Sequence, residues 1–214
     1  MLRAFYAQVR PGTEPDFSRE QLSDYRLERL ERTKLLRSRA LSLGVELLLI
    51  RALKTLEEPR LPLEICVRPG GKPRLREGPC FSLSHSGELV FCAISDAELG
   101  CDVQKIPEEE PSQRMLERCL CERERGLYAE SGNRRELFTV LWSLKESYAK
   151  MNGAGLGQLS PAAICLELSS SGSAAVEGSS AKLWYRVEGD YVFSLCSEKY
   201  GMPQGFEPVE LYTK

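Results

Sequence analysis

A nine-residue stretch occurs twice in this chain, and it constrains the fold more than any other feature. Gly87-Glu-Leu-Val-Phe-Cys-Ala-Ile-Ser95 and Gly189-Asp-Tyr-Val-Phe-Ser-Leu-Cys-Ser197 share four identities in nine and lie 102 positions apart. Each is a short apolar run behind a glycine, the pattern of a buried strand leaving a turn. Moving a helical pattern at 137–151 back by the same offset lands it on 35–49, inside a second helical pattern. Helix then hairpin, repeated at a constant offset, reads as a duplicated unit. The fold expected is α+β, with two pseudo-symmetric half-domains, 1–98 and 99–214, each a helix with an antiparallel sheet. Its active site is expected in the cleft between the halves, where ligand sites tend to form.

The local signals fill in each half. Residues 1–10 alternate as a strand does, and Pro11 and Gly12 turn the chain. Leu41, Val45, Leu48, Ala52 and Leu56 recur at helical spacing and predict one inward face, ended by Pro59 and Pro62. A Gly-Gly-Lys-Pro loop at 70–73 leads into Phe81-Ser-Leu-Ser84 and a hairpin. In the second half Leu137, Leu141, Leu144, Tyr148 and Met151 form the helical stripe, which stops at Asn152-Gly153. Strands are predicted near 164–168 and 182–187, with the serine- and glycine-rich stretch 169–180 as a flexible tip.

Charge and cysteine usage narrow the function classes. A net charge of -2 and a pI near 5.7 argue against a general nucleic-acid binder. The basic residues cluster, however: Arg26, Arg29, Arg32, Lys34, Arg37 and Arg39 are opposed in that run only by Glu28 and Glu31. Such a run reads equally as a solvated helix face or as a docking surface. The longest apolar stretch, 45–50, contains Glu46 and falls far short of a membrane span. Eight cysteines without a CxxC pair, and a single histidine, predict buried reduced thiols in a cytoplasmic protein and no zinc site.

Three clusters carry chemistry. Lys72-Pro73 with Ser82-Leu-Ser84-His85-Ser86-Gly87 supplies hydroxyls, amides and an imidazole suited to a phosphate, although a lone turn histidine is more often a structural one. No G-x-S-x-G elbow and no second histidine support a serine hydrolase. In Leu99-Gly-Cys-Asp102-Val-Gln104, an acid and an amide share one strand face behind a glycine. That acid is either paired, metal-bound or simply facing water. In Trp142-Ser-Leu-Lys145-Glu146-Ser-Tyr-Ala-Lys150, the residues Phe138, Trp142, Glu146 and Lys150 form an i, i+4 column off the core stripe, where Glu146 and Lys150 alone would read as a surface ion pair.

Taken in order, Lys72-Pro73, Phe81 to Ser86, Gly100-Cys-Asp102 and Trp142 to Lys150, followed by Gly153 and Gly155-Leu156, resemble the signature motifs of Sfp-type 4′-phosphopantetheinyl transferases. The resemblance covers about 70–160 of the chain. It implies that coenzyme A is the substrate, that Mg²⁺ is the cofactor, and that an apo acyl or peptidyl carrier protein accepts the 4′-phosphopantetheine arm on a serine. Asp102, Glu146 and Lys150 would be catalytic. Asp102, Glu146 and Gln104 would be the metal ligands. Lys72, Ser84, His85, Arg39, Lys145 and Lys150 would hold coenzyme A, with Arg37 behind Arg39 and Glu124 as an acid near the metal. The first half would then be the coenzyme A side and the second the Mg²⁺ side. The chain would act as a cytoplasmic monomer, binding neither nucleic acid nor membrane. Relatives often carry a second acid where this chain has Gln104, so weaker metal binding is expected. The alternative is a non-catalytic module that binds coenzyme A or the carrier on the same fold.

Overall fold

The computed structural model describes residues 1–153, 160–203 and 205–212. Gly155 and Leu156 of the last motif lie outside the described residues. The chain divides into two compact units, Met1–Ala97 with Pro203–Lys214, and Glu98–Met202.

The first unit begins with strand β1 (Leu2–Gln8), then α1 (Asp24–Arg32) and α2 (Leu36–Lys54). A small hairpin of β2 (Ile65–Val67) and β3 (Pro73–Leu75) precedes the long hairpin of β4 (Cys80–Ser86) and β5 (Leu89–Ser95). β5 is central, pairing antiparallel with β1 from Leu2↔Ser95 and with β4 from Cys80↔Ser95. Ser23 caps α1, its side chain accepting from the Arg26 amide, so one N–H that the helix leaves unpaired is satisfied. α2 is buried on nearly every side, with Leu43, Leu48, Leu49 and Ala52 fully enclosed in the first core. A helix this apolar all round has to sit inside its unit and not on it.

The second unit repeats that plan. β6 (Leu99–Lys105) is followed by α3 (Gln113–Cys119), α4 (Glu122–Glu130) and the long α5 (Arg134–Asn152). Strands β7 (Leu166–Leu168), β8 (Ser173–Val176), β9 (Lys182–Glu188) and β10 (Tyr191–Ser197) complete a sheet in the order β6-β10-β9-β8-β7. The tail strand β11 (Glu207–Pro208) pairs parallel with β1, extending the first sheet to β11-β1-β5-β4. The tail assigned by sequence to the second half therefore belongs to the first unit.

The duplication is sharper in the structure than in the sequence. β4 and β5 start at 80 and 89, and β9 and β10 at 182 and 191, the offset of 102 read from the repeat. The helical pairs α1–α2 and α4–α5 also correspond, with equal lengths of 9 and 19 residues, but at an offset of 98. The single constant offset expected from sequence is thus corrected. Four extra residues separate helix from hairpin in the second unit, and the strand repeat alone carried no information about them.

Other expectations also shift. Leu56 lies beyond α2 and is exposed, so it is not part of the inward face. The segment 169–180 is not simply a loose tip: it contains β8, which pairs with β7 and β9. Small residues at 173–175 lie flat against β9, and Tyr185 N–H donates to the Gly172 carbonyl. The basic run is split as well. Arg26 is buried, its Nε 3.0 Å from Glu46 Oε2 and its Nη1 bonded to Ser42 Oγ. Among the described residues no helix is long and apolar enough to cross a membrane.

Candidate active site

The site in the second unit starts from a glycine. A Cβ placed on Gly100 would sit 1.8 Å from the Ser147 carbonyl oxygen and 2.6 Å from the Met151 nitrogen. Only a residue without a side chain lets α5 lie against the backbone of β6. Small residues make the seam from the other side. Ser143 and Ser147 are one turn apart on α5, and Ser194 of β10 lies opposite Asp102 in the sheet. Ser194 Oγ is 2.9 Å from Ser143 Oγ and donates to the Ser143 carbonyl at 2.8 Å.

Strand alternation then puts Gly100, Asp102 and Gln104 on the face that α5 covers. Asp102 is almost fully enclosed. Its Oδ1 accepts from Lys150 Nζ at 2.7 Å and its Oδ2 from Gln104 Nε2 at 3.1 Å. Lys150 therefore pairs with Asp102 on the neighbouring strand, not with Glu146 one turn away as a surface pair would. Glu146 sits beside them, half-buried. Burial first, and then the negative charge of Asp102, push its carboxyl above the ordinary glutamate value, with Lys150 offsetting part of the rise. Burial pulls the Lys150 ammonium down, but the charge of Asp102 and the hydrogen bond to it outweigh that and hold it above its ordinary value.

Two carboxylates thus face one ammonium, and the local charge favours a further cation. The donors are hard oxygens, the set Mg²⁺ takes, and the ion ordinarily keeps several waters or substrate oxygens besides. Among the described residues no group of three or more histidine, cysteine, aspartate or glutamate side chains is placed to hold a metal ion. An all-protein cage is therefore not what this site offers. Two carboxylates beside one ammonium, with phosphate oxygens and waters to complete the set, are donors that fit magnesium held on a diphosphate.

Lys145 is placed differently from expectation. Successive helix positions point about 100° apart, and Lys145 turns away from Asp102 into the interior. Its side chain is 0% exposed. Nζ donates to Glu124 Oε2 at 2.5 Å, to the Cys119 carbonyl at 2.7 Å and to the Pro161 carbonyl at 3.0 Å. An ammonium has three hydrogens to donate, so this position leaves none for a phosphate of coenzyme A. Glu124, expected beside the metal, is instead Lys145's partner and also accepts from the Cys121 and Leu166 amides.

The other predicted coenzyme A residues belong to the first unit. Lys72 closes the β2–β3 turn, where its carbonyl accepts from the Arg68 amide. Ser84 is buried and His85 exposed, on opposite faces of β4. Arg39 on α2 is half-buried, its Nε 2.7 Å from Glu14 Oε1 and its Nη1 bonded to the Leu30 carbonyl. Arg37 donates to the Gly87 carbonyl. Sequence reasoning missed the serine seam and the buried Lys145–Glu124 pair. Ser143 and Ser147, spaced i, i+4 on a helix beside a strand glycine, were the available signal for the first. Nothing in the sequence distinguishes Lys145 from a solvated lysine.

Comparisons with known proteins bear on this unit. The family described as the 4′-phosphopantetheinyl transferase superfamily matches residues 98–196, which include Asp102, Glu124, Lys145, Glu146 and Lys150. The 4′-phosphopantetheinyl transferase psf-1 of Bacillus pumilus is 30% identical over 165 residues, 72% of this chain and 68% of that protein. The 4′-phosphopantetheinyl transferase Sfp of Bacillus subtilis (strain 168) is 28% identical over 63% of this chain and 62% of its own length. The 4′-phosphopantetheinyl transferase gsp of Aneurinibacillus migulanus is 36% identical over 40% of this chain and 36% of its own length. The chain thus spans about two thirds of the first relative and less of the other two. With a glycine-seated acid on β6 and a glutamate–lysine turn on α5 inside the matched region, the chain belongs to the 4′-phosphopantetheinyl transferase superfamily.

Proposed function

We propose that this chain transfers the 4′-phosphopantetheine group of coenzyme A to a serine of an acyl or peptidyl carrier protein. The observation that carries the reading is the Asp102–Lys150 pair with Glu146 beside it, inside the region matched by the family. The serine oxygen forms a bond to the pantetheine-side phosphorus, the bond to the second phosphate breaks, and adenosine 3′,5′-bisphosphate leaves.

Asp102 and Glu146 would hold Mg²⁺, which, when bound, neutralises and orients the diphosphate. Gln104 keeps Asp102 in place through its amide, and would add a neutral oxygen only by turning it toward the ion. Lys150 places positive charge against the diphosphate, where charge builds as the leaving group departs. Glu146, beside Asp102 and Lys150, would be the base that takes the proton from the serine hydroxyl. The rest is positioning, the main contribution a protein makes to phosphoryl transfer. Lys72, Ser84 and His85 are the first-unit groups suited to the nucleotide end of coenzyme A. Eight free thiols support a reducing compartment such as the cytoplasm.

Intact-mass spectrometry of apo carriers incubated with the chain, coenzyme A and Mg²⁺ tests the reading. A carrier gaining one phosphopantetheine is expected, and Asp102→Ala should lower the rate on the order of 10²–10³-fold. A chain that binds coenzyme A and leaves every carrier in a broad panel unmodified would instead be the non-catalytic module.

A further inference from the structure

Among the described residues each unit contains a buried ion pair joining its short helix to its long one; the pairs correspond on the short helix but are one residue out of register on the long one, Lys145 lying 99 positions after Glu46. In the first, Arg26 on α1 meets Glu46 on α2, and the Ser23 amide at the helix cap donates to the same carboxylate at 2.7 Å. In the second, Glu124 on α4 meets Lys145 on α5, and the Cys121 amide at the helix cap donates to that carboxylate at 2.9 Å. Cys121 and Glu124 lie 98 positions after Ser23 and Arg26, the helical offset, while the signs of the two charges are exchanged. A clamp of short helix to long helix is therefore present in both halves of the duplication. In the second unit it lies one residue before Glu146.

We propose that the Lys145–Glu124 pair is the rotational stop of α5, a positioning device that aims Glu146 and Lys150 at Asp102. On a helix of 3.6 residues per turn, Lys145 lies roughly 160° around the axis from Ser147, which seats on Gly100, and Glu146 lies about 100° from each. The seam on β6 grips one side of the helix. Lys145 is pinned on the other by three acceptors drawn from Cys119 at the end of α3, Glu124 on α4 and Pro161. Glu124 in turn is tied to the Cys121 and Leu166 amides, so the stop is anchored to α4 and β7 as well. Rotating α5 would strand a buried ammonium without acceptors, which a protein interior tolerates poorly. The seam and the apolar residues Leu141 and Leu144 press the helix onto its unit, but apolar contacts carry no direction of their own and fix its rotation less sharply than hydrogen bonds do. Gripped on both sides, the helix holds Glu146 in one direction. Such aim matters because misplacing a reacting group by about 1 Å costs on the order of a hundredfold in rate.

The consequence for catalysis rests on the transferase reading; the clamp itself does not, and the experiment separates the two. Wild-type chain is assayed first with coenzyme A, Mg²⁺ and apo carrier, and its binding of Mn²⁺ in the presence of coenzyme A is measured by electron paramagnetic resonance. A wild type that neither transfers nor binds Mn²⁺ overturns the reading, and a crystal structure of the double variant then judges the clamp by the direction of Glu146. The double variant Lys145→Met with Glu124→Gln removes both charges at similar volume. It is expected to fold, to lower kcat at least tenfold, to weaken Mn²⁺ binding, and to leave KM for coenzyme A within about twofold. The first-unit variant Arg26→Met with Glu46→Gln serves as control, lowering thermal stability with kcat unchanged. If the double variant does not fold, Glu124→Gln alone is read by the same constants. Wild-type kcat and Mn²⁺ affinity in a folded variant would overturn the proposal. So would a raised KM with unchanged kcat, which would mean that Lys145 contacts coenzyme A, and so would an equal fall of kcat in the first-unit control.

Discussion

At Glu146 the surroundings oppose the ionised form. Burial and the neighbouring Asp102 raise its carboxyl from the ordinary 4.5 in the metal-free chain. A carboxyl raised on folding binds its proton more tightly in the native state, so stability falls as pH climbs from 4.5 through the raised value. Glu146→Gln removes that cost. In chelator, the variant should melt with wild type below about pH 4 and above it near pH 7, while its transfer rate drops on the order of 10²–10³-fold. Melting curves against pH check the first part, and identical curves at both ends would show that Glu146 is not strained. Under the proposed function that is the pattern expected of a residue kept for chemistry at some expense of stability. In the sequence, the i, i+4 spacing already put Glu146 and Lys150 on one side of a helix. It did not show that Lys150 would choose Asp102, because that choice depends on which strand lies beneath the helix.

At the scale of elements, the contact of α5 with β6 makes the site. Gly100→Ala would drive a methyl group into the Ser147 carbonyl, a backbone atom that cannot swing aside. The helix must lift, and overpacking of this kind costs roughly 3 kcal/mol. Lifting also separates Asp102 from Lys150 and Glu146, so the fraction that still folds should lack transfer. Chemical denaturation and the carrier assay together check this, and a folded, active Gly100→Ala would mean that the seam is looser than drawn. The glycine was legible in the sequence as a place where a ligand could come close, but it is the backbone of α5 that fills that place. The serines at 143 and 147 were not legible, because a small residue on a helix reads as neutral until something is seen to pack against it.

On the scale of the whole molecule, the chain returns to where it began. Arg3 grips Glu207 with two parallel bonds of 2.9 and 2.7 Å, β11 extends the first sheet beside β1, and Leu211 and Tyr212 enter the first core. The Tyr212 hydroxyl accepts from the Arg10 amide and donates to the Thr13 carbonyl. Truncation after Met202 should therefore destabilise the first unit by about 4 kcal/mol or more, the cost of losing a buried aromatic with its neighbours. Hydrogen exchange should quicken in β1 and β5 and stay unchanged in β9 and β10, since the second unit has its own core. Equal quickening in both units would show that they unfold as one.

What the sequence determined by itself was whatever is periodic or local. The strand repeat at 102, the helix stop at Gly153, where φ is 71°, and the separate faces of the two long helices all follow from side-chain pattern and backbone preference. Spacing put Asp102 and Gln104 on one strand face and Glu146 and Lys150 on one helix face, while their roles at a metal and a diphosphate came only from the resemblance to Sfp-type transferases. Tertiary structure alone decided the rest. It sent Lys145 inward to Glu124 while its neighbour Glu146 faced Asp102, it buried Arg26 out of a run that looked solvated, and it returned the tail to β1. Each of these depends on a partner far away in the chain. A charged side chain is buried only where distant groups supply its hydrogen bonds, and no local pattern records where those groups will be.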